Sequence, residues 1–420
     1  MSESNALLNK AIAHIDRDAT IDLLRRAVRI PSITGEEQAI GALLREELAD
    51  AGARDVELFE FAESRSDVCG VVPGTGDGKR LMFLGHTDTV HVEGWREEWA
   101  GTEREDPFAG AIVDGELYGR GAGDQKAGIV TVIAALRALH GAGLRPRGEV
   151  ISLFVGDEES GQPGSGYSLG MKEVVKRIEA GDIPRADFAV YTEPTTLKIY
   201  AAQMGFIIAE ITVQGESAYF GRPWLGNDAL RATHRLLTLL YEYTDAIWET
   251  ADHELLGRPF NLVTGIRGGG YIAVPEKCTI SLIRKVLPHE TLDEVKSQLD
   301  GIVRRLAINE GVRVDIEYTA PRDHAYGGNP AETVRDHPGI TALAGAIHAV
   351  TGDVDIVEGA PFWSEMSFLN DLGIPTVYCA PGDITNCHTL HERVAVQQLL
   401  DGVEIFVRFI ARYCGLEQVK

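Results

Sequence analysis

The sequence predicts an α/β fold in which a mainly parallel sheet, with helices on both faces, is interrupted by a smaller α+β domain. Two observations support this prediction. Over the first two hundred residues, short apolar runs alternate with stretches whose apolar residues recur at helical spacing, and this alternation is typical of parallel sheets covered by helices. Near Gln203 the pattern changes to longer strands and two long helices, and the alternation returns from Gly339.

Each element is predicted from the spacing of its apolar residues. In the two alternating regions, helices are predicted over residues 21–30, 37–51 and 124–140, and strands over residues 81–84, 151–155, 188–191 and 374–378. In the middle region, strands are predicted over residues 207–213 and 278–283, and helices over residues 228–244 and 292–308.

The length of the chain and this change of pattern predict two domains. A chain of 420 residues exceeds the usual size of one hydrophobic core. We therefore predict a catalytic domain in two parts, residues 1–202 and 320–420, with a second domain inserted between them over residues 203–319.

Composition limits the partners and the location. A formal net charge of -23 argues against nucleic acid and against anionic membrane as partners. No apolar run approaches the roughly 20 residues that a membrane span needs. The five cysteines are widely spaced, which is not a disulfide framework and suits a reducing compartment. The start of the chain lacks a basic segment followed by an apolar one, so we expect no signal peptide and a cytoplasmic location.

Ligand-type side chains follow three of the predicted strands directly. His86 comes after residues 81–84, Glu158 and Glu159 come after residues 151–155, and Glu193 comes after residues 188–191. Ligands in open α/β sheets lie beyond the carboxyl ends of the strands, so these side chains are expected to converge on one crevice.

Two further residues complete the candidate site. Asp124 opens the predicted helix over residues 124–140 after a glycine-rich run, and His388 follows the last predicted strand. Imidazole and carboxylate groups are the ligands that catalytic zinc or manganese prefers, and two neighbouring metals usually share a bridging carboxylate. Asp124 is well placed for that bridge. Of the adjacent pair Glu158–Glu159, one carboxylate can bind metal while the other stays free as a general base.

Five motifs, in this order and spacing, resemble the superfamily of aminoacylase, acetylornithine deacetylase, succinyl-diaminopimelate desuccinylase and the glutamate carboxypeptidases. They are residues 85–88 (GHTD), 119–126 (GRGAGDQK), 157–161 (DEESG), 192–195 (TEPT) and 387–392 (CHTLHE). The resemblance covers almost the whole chain from residue 86 to residue 392, and the five motifs together are highly specific.

The resemblance implies one or two divalent ions (Zn, Mn or Co) in each subunit and a role for each site residue. The implied ligands are His86, Asp124 and Glu193 for one metal and His388, Asp124 and Glu159 for the other. Asp88 would orient His86 and fix its tautomer, and Glu158 would be the general acid and base. The inserted domain would be a lid through which the protein forms a homodimer.

The predicted lid departs from the family at two positions. Tyr219 stands where the family has a histidine that stabilises the oxyanion from the partner subunit, and Ile272 stands where asparagine is typical. Arg284 remains at the position that usually binds a substrate carboxylate. Loss of one oxyanion donor typically lowers the rate of amide hydrolysis about a hundred- to a thousand-fold. These two changes therefore bear on which substrate the enzyme accepts.

Three functions stay open from the sequence. In the first, slightly preferred, Tyr219 donates its hydroxyl group and the enzyme cleaves the amide of an N-acyl amino acid or small peptide. In the second, it releases ammonia from an aminobenzoate, as does 5-nitroanthranilate aminohydrolase, a divergent family member that the chain resembles. In the third, the chain binds metal without catalysis, and the retained Glu158 argues against this because a binder needs no free base. For both enzyme functions we expect a small carboxylate-bearing substrate.

Overall fold

The computed structural model describes residues 3–159 and 165–419. Its α-helices are α1 (Glu3–Ile12), α2 (Arg17–Val28), α3 (Gln38–Asp50), α4 (Trp95–Glu98), α5 (Ala127–Gly141), α6 (Leu169–Ala180), α7 (Ala229–Thr250), α8 (Leu292–Glu310), α9 (Pro338–Thr351), α10 (Met366–Asp371) and α11 (Val396–Tyr413). Its strands are β1 (Arg54–Ala62), β2 (Arg65–Val72), β3 (Leu81–His86), β4 (Ala111–Val113), β5 (Glu116–Tyr118), β6 (Leu144–Pro146), β7 (Val150–Val155), β8 (Phe188–Tyr191), β9 (Ile199–Gln203), β10 (Gly205–Gln214), β11 (Phe260–Gly268), β12 (Lys277–Val286), β13 (Arg313–Tyr318), β14 (Gly327–Gly328), β15 (Ala331–Glu332), β16 (Val357–Ala360), β17 (Thr376–Tyr378), β18 (Arg393–Ala395) and β19 (Leu416–Gln418).

The chain forms two compact units. The first comprises Met1–Ala201, Thr333–Glu358 and Phe368–Lys420, and the second comprises Ala202–Glu332 and Gly359–Ser367. The second unit thus extends beyond the range 203–319 predicted for the inserted domain. The extension has a physical basis, because β14 pairs with β10 and the indole of Trp363 donates to the carbonyl of Asn329 at 2.9 Å.

The large sheet confirms the predicted fold class. Its strand order is β1-β2-β7-β3-β8-β17-β9-β15, with β16 paired to β9. The four central strands, β7, β3, β8 and β17, run parallel to one another, while the strands beside them pair antiparallel. Every residue of these four strands is buried, as expected of a parallel sheet that is covered on both faces.

The second unit is an antiparallel sheet with two long helices. The strand order is β11-β12-β10-β13, and β14 also pairs with β10. Along β10 and β12 every second residue is buried, and these residues pack with apolar residues of α7 and α8 in one core. The strands therefore have one covered face and one open face, which explains their alternating apolar pattern.

None of the helices in the described part of the chain is both long enough and apolar enough to cross a bilayer.

Candidate metal centre

The parallel strands of the first unit bring the predicted site residues to one edge of the sheet. In the register, His86 pairs with Val155 of β7 and Leu84 pairs with Tyr191 of β8. The chain segments that follow β7 and β8 therefore leave the sheet beside His86. Ligand-type atoms of His86, Asp124 and Glu159 all lie within 4.8 Å of one another.

The carboxylate of Asp124 lies between two imidazoles. Its Oδ1 is 3.1 Å from Nε2 of His86, and its Oδ2 is 3.2 Å from Nε2 of His388. Each imidazole faces a second carboxylate: Nε2 of His86 is 3.8 Å from Glu193, and Nε2 of His388 is 2.6 Å from Glu159. The structure thus brings all five predicted ligand residues together, in two groups that share Asp124.

Asp124 takes this position because the chain is not α-helical there. It lies in a π-helical turn, Ala122–Lys126, with extended dihedral angles (φ -120°, ψ 96°), and α5 begins only at Ala127. The peptide bond between Asp124 and Gln125 is cis. The predicted helix start at residue 124 was therefore three residues early, because apolar periodicity does not detect a local turn that presents one polar side chain.

A buried ion pair holds the turn in place. Oε1 of Glu392 accepts the N–H groups of Gly123 and Asp124 at 3.2 and 3.1 Å, and its other oxygen pairs with Arg120. Burial raises the pKa of Glu392, which the charge of Arg120 opposes. Both residues lie inside recognisable motifs, yet their roles were not predicted, since the contact joins positions 272 residues apart.

Asp88 was predicted to orient His86, and the structure places it directly behind that ring. Nδ1 of His86 lies 2.9 Å from the main-chain carbonyl of Asp88 and 3.8 Å from its carboxylate. The carboxylate instead accepts the N–H groups of Glu158 and Glu159 at 3.3 and 2.9 Å, and the hydroxyl of Thr34 at 3.0 Å. Burial raises the pKa of Asp88 to about 7. Asp88 thus supports both the imidazole and the segment with the two glutamates.

Glu158 lies beside the metal-ligand candidates and is half-buried. The main-chain N–H of Glu158 donates a hydrogen bond to the carboxylate of Asp88, and this bond fixes the main chain that carries the Glu158 side chain. The predicted motif continues with Ser160 and Gly161, which lie outside the described residues.

The electrostatics of the site favour bound cations. Hydrogen bonds to Asp124 and Glu159 raise the pKa of His388 to about 11. Burial opposes a positive charge on His86, yet the hydrogen bond to Asp124 and the charge of Glu193 raise its pKa well above the ordinary value. Burial raises the pKa of Glu159 as well. An excess of carboxylates around two imidazoles stabilises positive charge, and this nitrogen and oxygen donor set suits divalent zinc, manganese or cobalt.

The predicted substrate-binding residues belong to the second unit. The side chain of Arg284 is fully buried and pairs with Glu290, and its Nε lies 3.5 Å from the hydroxyl of Tyr243. Tyr219 is 65% exposed and Ile272 is 56% exposed. Tyr219 forms a bridge with Ala273, which brings the two segments that depart from the family pattern side by side.

Comparison with known proteins shows the family. Residues 82–412 match the model of peptidase family M20/M25/M40, so the chain belongs to this family. It is 27% identical over 387 residues, 86% of each chain, to N-formyl-4-amino-5-aminomethyl-2-methylpyrimidine deformylase of Bacillus subtilis.

Solved structures share the fold. An M20 family metallo-carboxypeptidase from Sulfolobus solfataricus superposes with a TM-score of 0.73 at 16% identity, covering 94% of this chain and 99% of that one. A dinuclear metal-binding peptidase of the M20 family from Bacillus subtilis gives 0.65 at 15% identity, covering 94% and 97%. Membership of peptidase family M20/M25/M40 makes the protein a metallohydrolase of the class that cleaves amide or peptide bonds, and its cluster of His86, Asp124 and Glu159 could hold a divalent metal.

Proposed function

We propose that the protein is an amidohydrolase that uses two divalent ions to cleave an N-acyl amino acid, a small peptide or a related amide. The observation that carries the proposal is the position of Asp124, whose two oxygens face different imidazoles at 3.1 and 3.2 Å. We assign His86, Asp124 and Glu193 to one ion and His388, Asp124 and Glu159 to the other. The dinuclear B. subtilis structure is consistent with this number of ions.

We assign the proton transfers to Glu158. Divalent ions supply a Lewis acid that polarises a carbonyl group and acidifies water. A carboxylate beside them that is not a metal ligand accepts a proton from the attacking water and delivers it to the departing nitrogen. Asp88 holds the main-chain N–H groups of Glu158 and Glu159 with one carboxylate, so the proton acceptor and a metal ligand share one support.

A basic side chain of β12 is proposed to bind the substrate carboxylate. Arg284, the predicted residue, directs its guanidinium to Glu290. Lys285 follows it, and successive strand residues point to opposite faces. Lys285 is half-buried, its ammonium lies 6.0 Å from the ring of Phe206, and burial lowers its pKa to about 8. Among the described residues none offers this ammonium a hydrogen bond, so Lys285 is the second candidate.

Alanine variants distinguish these two candidates. If Lys285 binds the substrate carboxylate, Lys285→Ala should raise KM for carboxylate substrates and leave thermal stability near the wild-type value. Arg284→Ala should chiefly lower stability, because it leaves Glu290 without its partner. If Arg284→Ala instead raised KM and Lys285→Ala did not, Arg284 would be the residue that binds the substrate carboxylate.

Release of ammonia from an aminobenzoate is the alternative activity. The exposed rings of Tyr219, Phe220 and Trp224 favour an aromatic ligand near the lid segment. The B. subtilis relative is named for removing a formyl group from an aminopyrimidine, and an aromatic amide substrate would satisfy both observations. The two observations together therefore support cleavage of an amide bond over release of ammonia from an aromatic amine.

A substrate screen with Zn²⁺, Mn²⁺ and Co²⁺ tests the proposal. The panel should contain N-formyl and N-acetyl amino acids, dipeptides, N-formyl aminopyrimidines and aminobenzoates, with amine or ammonia release as the readout. We expect metal-dependent turnover of an amide. Ammonia release from aminobenzoates alone would favour the alternative, and metal binding without any turnover would favour a metal-binding protein.

A further inference from the structure

Arg65, on β2, lies between two buried carboxylates near the metal centre. Its Nη2 is 2.9 Å from Oδ1 of Asp157 and 2.5 Å from Oε1 of Glu37, while its Nε donates to Oε2 of Glu37 at 2.9 Å. The side chains of both acids are fully buried and that of Arg65 is 13% exposed. One planar guanidinium thus satisfies two carboxylates that would otherwise be buried without a cation.

The first of these carboxylates fixes the chain next to Glu158. Asp157 follows β7 and Gly156 and has a left-handed conformation (φ 71°), which is uncommon for a residue other than glycine. Its carboxylate accepts the N–H groups of Gly166, Tyr167 and Leu169 at 3.2, 2.9 and 3.2 Å. Leu169 begins α6, whose own N-cap side chain makes no capping bond. Asp157 therefore joins the start of α6 to the strand end that carries the two glutamates.

The second carboxylate reaches the same glutamates by another route. Oε1 of Glu37 accepts the N–H of Gly35 at 3.0 Å. The preceding residue, Thr34, donates its hydroxyl to Asp88 at 3.0 Å and lies 3.1 Å from the main-chain carbonyl of Glu159. Asp88 in turn accepts the N–H of Glu159. Both routes begin at Arg65 and end at Glu158–Glu159.

We propose that Arg65 is a positioning residue for Glu158 and Glu159: by joining Glu37 to Asp157 it holds, from both sides, the main chain that presents these carboxylates. The inference rests on the proposed function, in which Glu159 binds metal and Glu158 transfers the proton. Groups that support metal ligands from behind typically contribute 10- to 100-fold to metal affinity or activity. Loss of the guanidinium should therefore weaken one metal site and slow turnover without acting on substrate binding.

The test compares Arg65 with a second arginine of the same region. Arg177, on α6, pairs with Glu57 and Glu173 and lies 4.2 Å from the ring of Phe59. Like Arg65 it therefore has two carboxylates and an aromatic ring of β1 as partners, but its carboxylates are not those of Glu37 and Asp157. Zn²⁺ affinity is measured by competition with a chromophoric chelator for Arg65→Gln, Arg65→Lys and Arg177→Gln, with thermal unfolding recorded alongside.

We expect Arg65→Gln to lower the affinity for one of the two Zn²⁺ ions about tenfold and Arg65→Lys to lower it less, because an ammonium keeps the charge. Arg177→Gln should bind Zn²⁺ like the wild type. Added methylguanidinium should restore affinity to folded Arg65→Ala, because it replaces the cation between Glu37 and Asp157. With a substrate from the screen, Arg65→Gln should have a lower kcat than the wild type and an unchanged KM.

Three results would overturn the inference. Folded Arg65 variants with wild-type Zn²⁺ affinity would remove the positioning role. An Arg65→Lys chain that does not fold would make Arg65 structural. Absence of Zn²⁺ binding by the wild-type chain would overturn the proposed function and this inference with it.

Discussion

Among single residues, Glu158 is the one whose loss should separate chemistry from metal binding. Glu158→Gln keeps the shape of the side chain but removes its basicity, so turnover should fall at least about a hundred-fold. The metal content should be unchanged, because the five assigned ligands remain. Metal analysis and steady-state kinetics on the substrate from the screen check this. Near-normal turnover with full metal content would exclude Glu158 as the base.

The histidines predict how metal stabilisation depends on pH. Hydrogen bonds to Asp124 and Glu159 raise the pKa of His388 to about 11, above the roughly 6.5 of an unfolded histidine. In the metal-free protein this stabilisation is fully present below pH ~6.5 and is lost as the pH rises towards ~11. Metal binding needs the neutral imidazole, so protons compete with metal.

The gain in Tm on adding Zn²⁺ to chelator-treated protein should therefore be larger at pH 8 than at pH 6. Thermal unfolding at the two pH values measures it, and His388→Ala should reduce the difference. An equal or larger gain at pH 6 would show that the imidazoles do not bind the metal.

At the scale of elements, the site depends on how closely α5 approaches the end of β8. A Cβ atom on Gly128 would lie 2.5 Å from the carbonyl oxygen and 2.6 Å from the Cβ of Thr192, the residue before Glu193. Gly128→Ala should therefore displace Glu193, lower metal occupancy and cost about 1–3 kcal/mol of stability. Denaturant unfolding and metal analysis measure the two effects.

Gly301 offers the matched control. It lies within α8, and a Cβ atom there would have no neighbour within 4 Å. Gly301→Ala should stabilise the protein by roughly 0.5–1 kcal/mol, as alanine does in a helix interior, with no change in metal content. Equal effects of the two substitutions would mean that the α5 contact does not position Glu193.

The elements and ligands that the sequence revealed are those with a local signal. Residues 188–191 were predicted as a strand with the bounds of β8, because a short apolar run followed by a polar residue marks a buried strand and its end. His86, Glu159 and Glu193 could be predicted to meet for the same reason. The roles of Thr34, Arg65 and the Arg120–Glu392 pair could not be predicted, since hydrogen bonds and ion pairs between distant positions leave no periodicity in the sequence.

For the whole molecule, we predict a homodimer in which the lid of one subunit serves the active site of the other. The resemblance to the family implies this arrangement, and the exposed side chains of Tyr219, Trp224 and Tyr271 are apolar surface of the kind that contacts bury. Glu158→Gln and Tyr219→Ala should each lower activity when alone, the second because the hydroxyl proposed to stabilise the oxyanion is lost. Mixing the two variants should restore part of the activity, because hybrid dimers contain one complete site. Light scattering checks the dimer, and absence of rescue after verified subunit exchange would assign the lid to its own chain.

The place of β17 in the large sheet has a consequence for synthesis on the ribosome. This strand lies between β8 and β9, yet about 170 residues separate it from β9 in the chain. At ordinary rates of translation these residues take roughly 10–35 s to emerge, and for that time the nascent chain holds two sheet edges that await a strand not yet made. Unpaired edges are templates for wrong pairing. His388 follows β17 in the chain, so the ion assigned to His388, Asp124 and Glu159 can be bound only after this wait, whereas the ligands of the other ion are made before it.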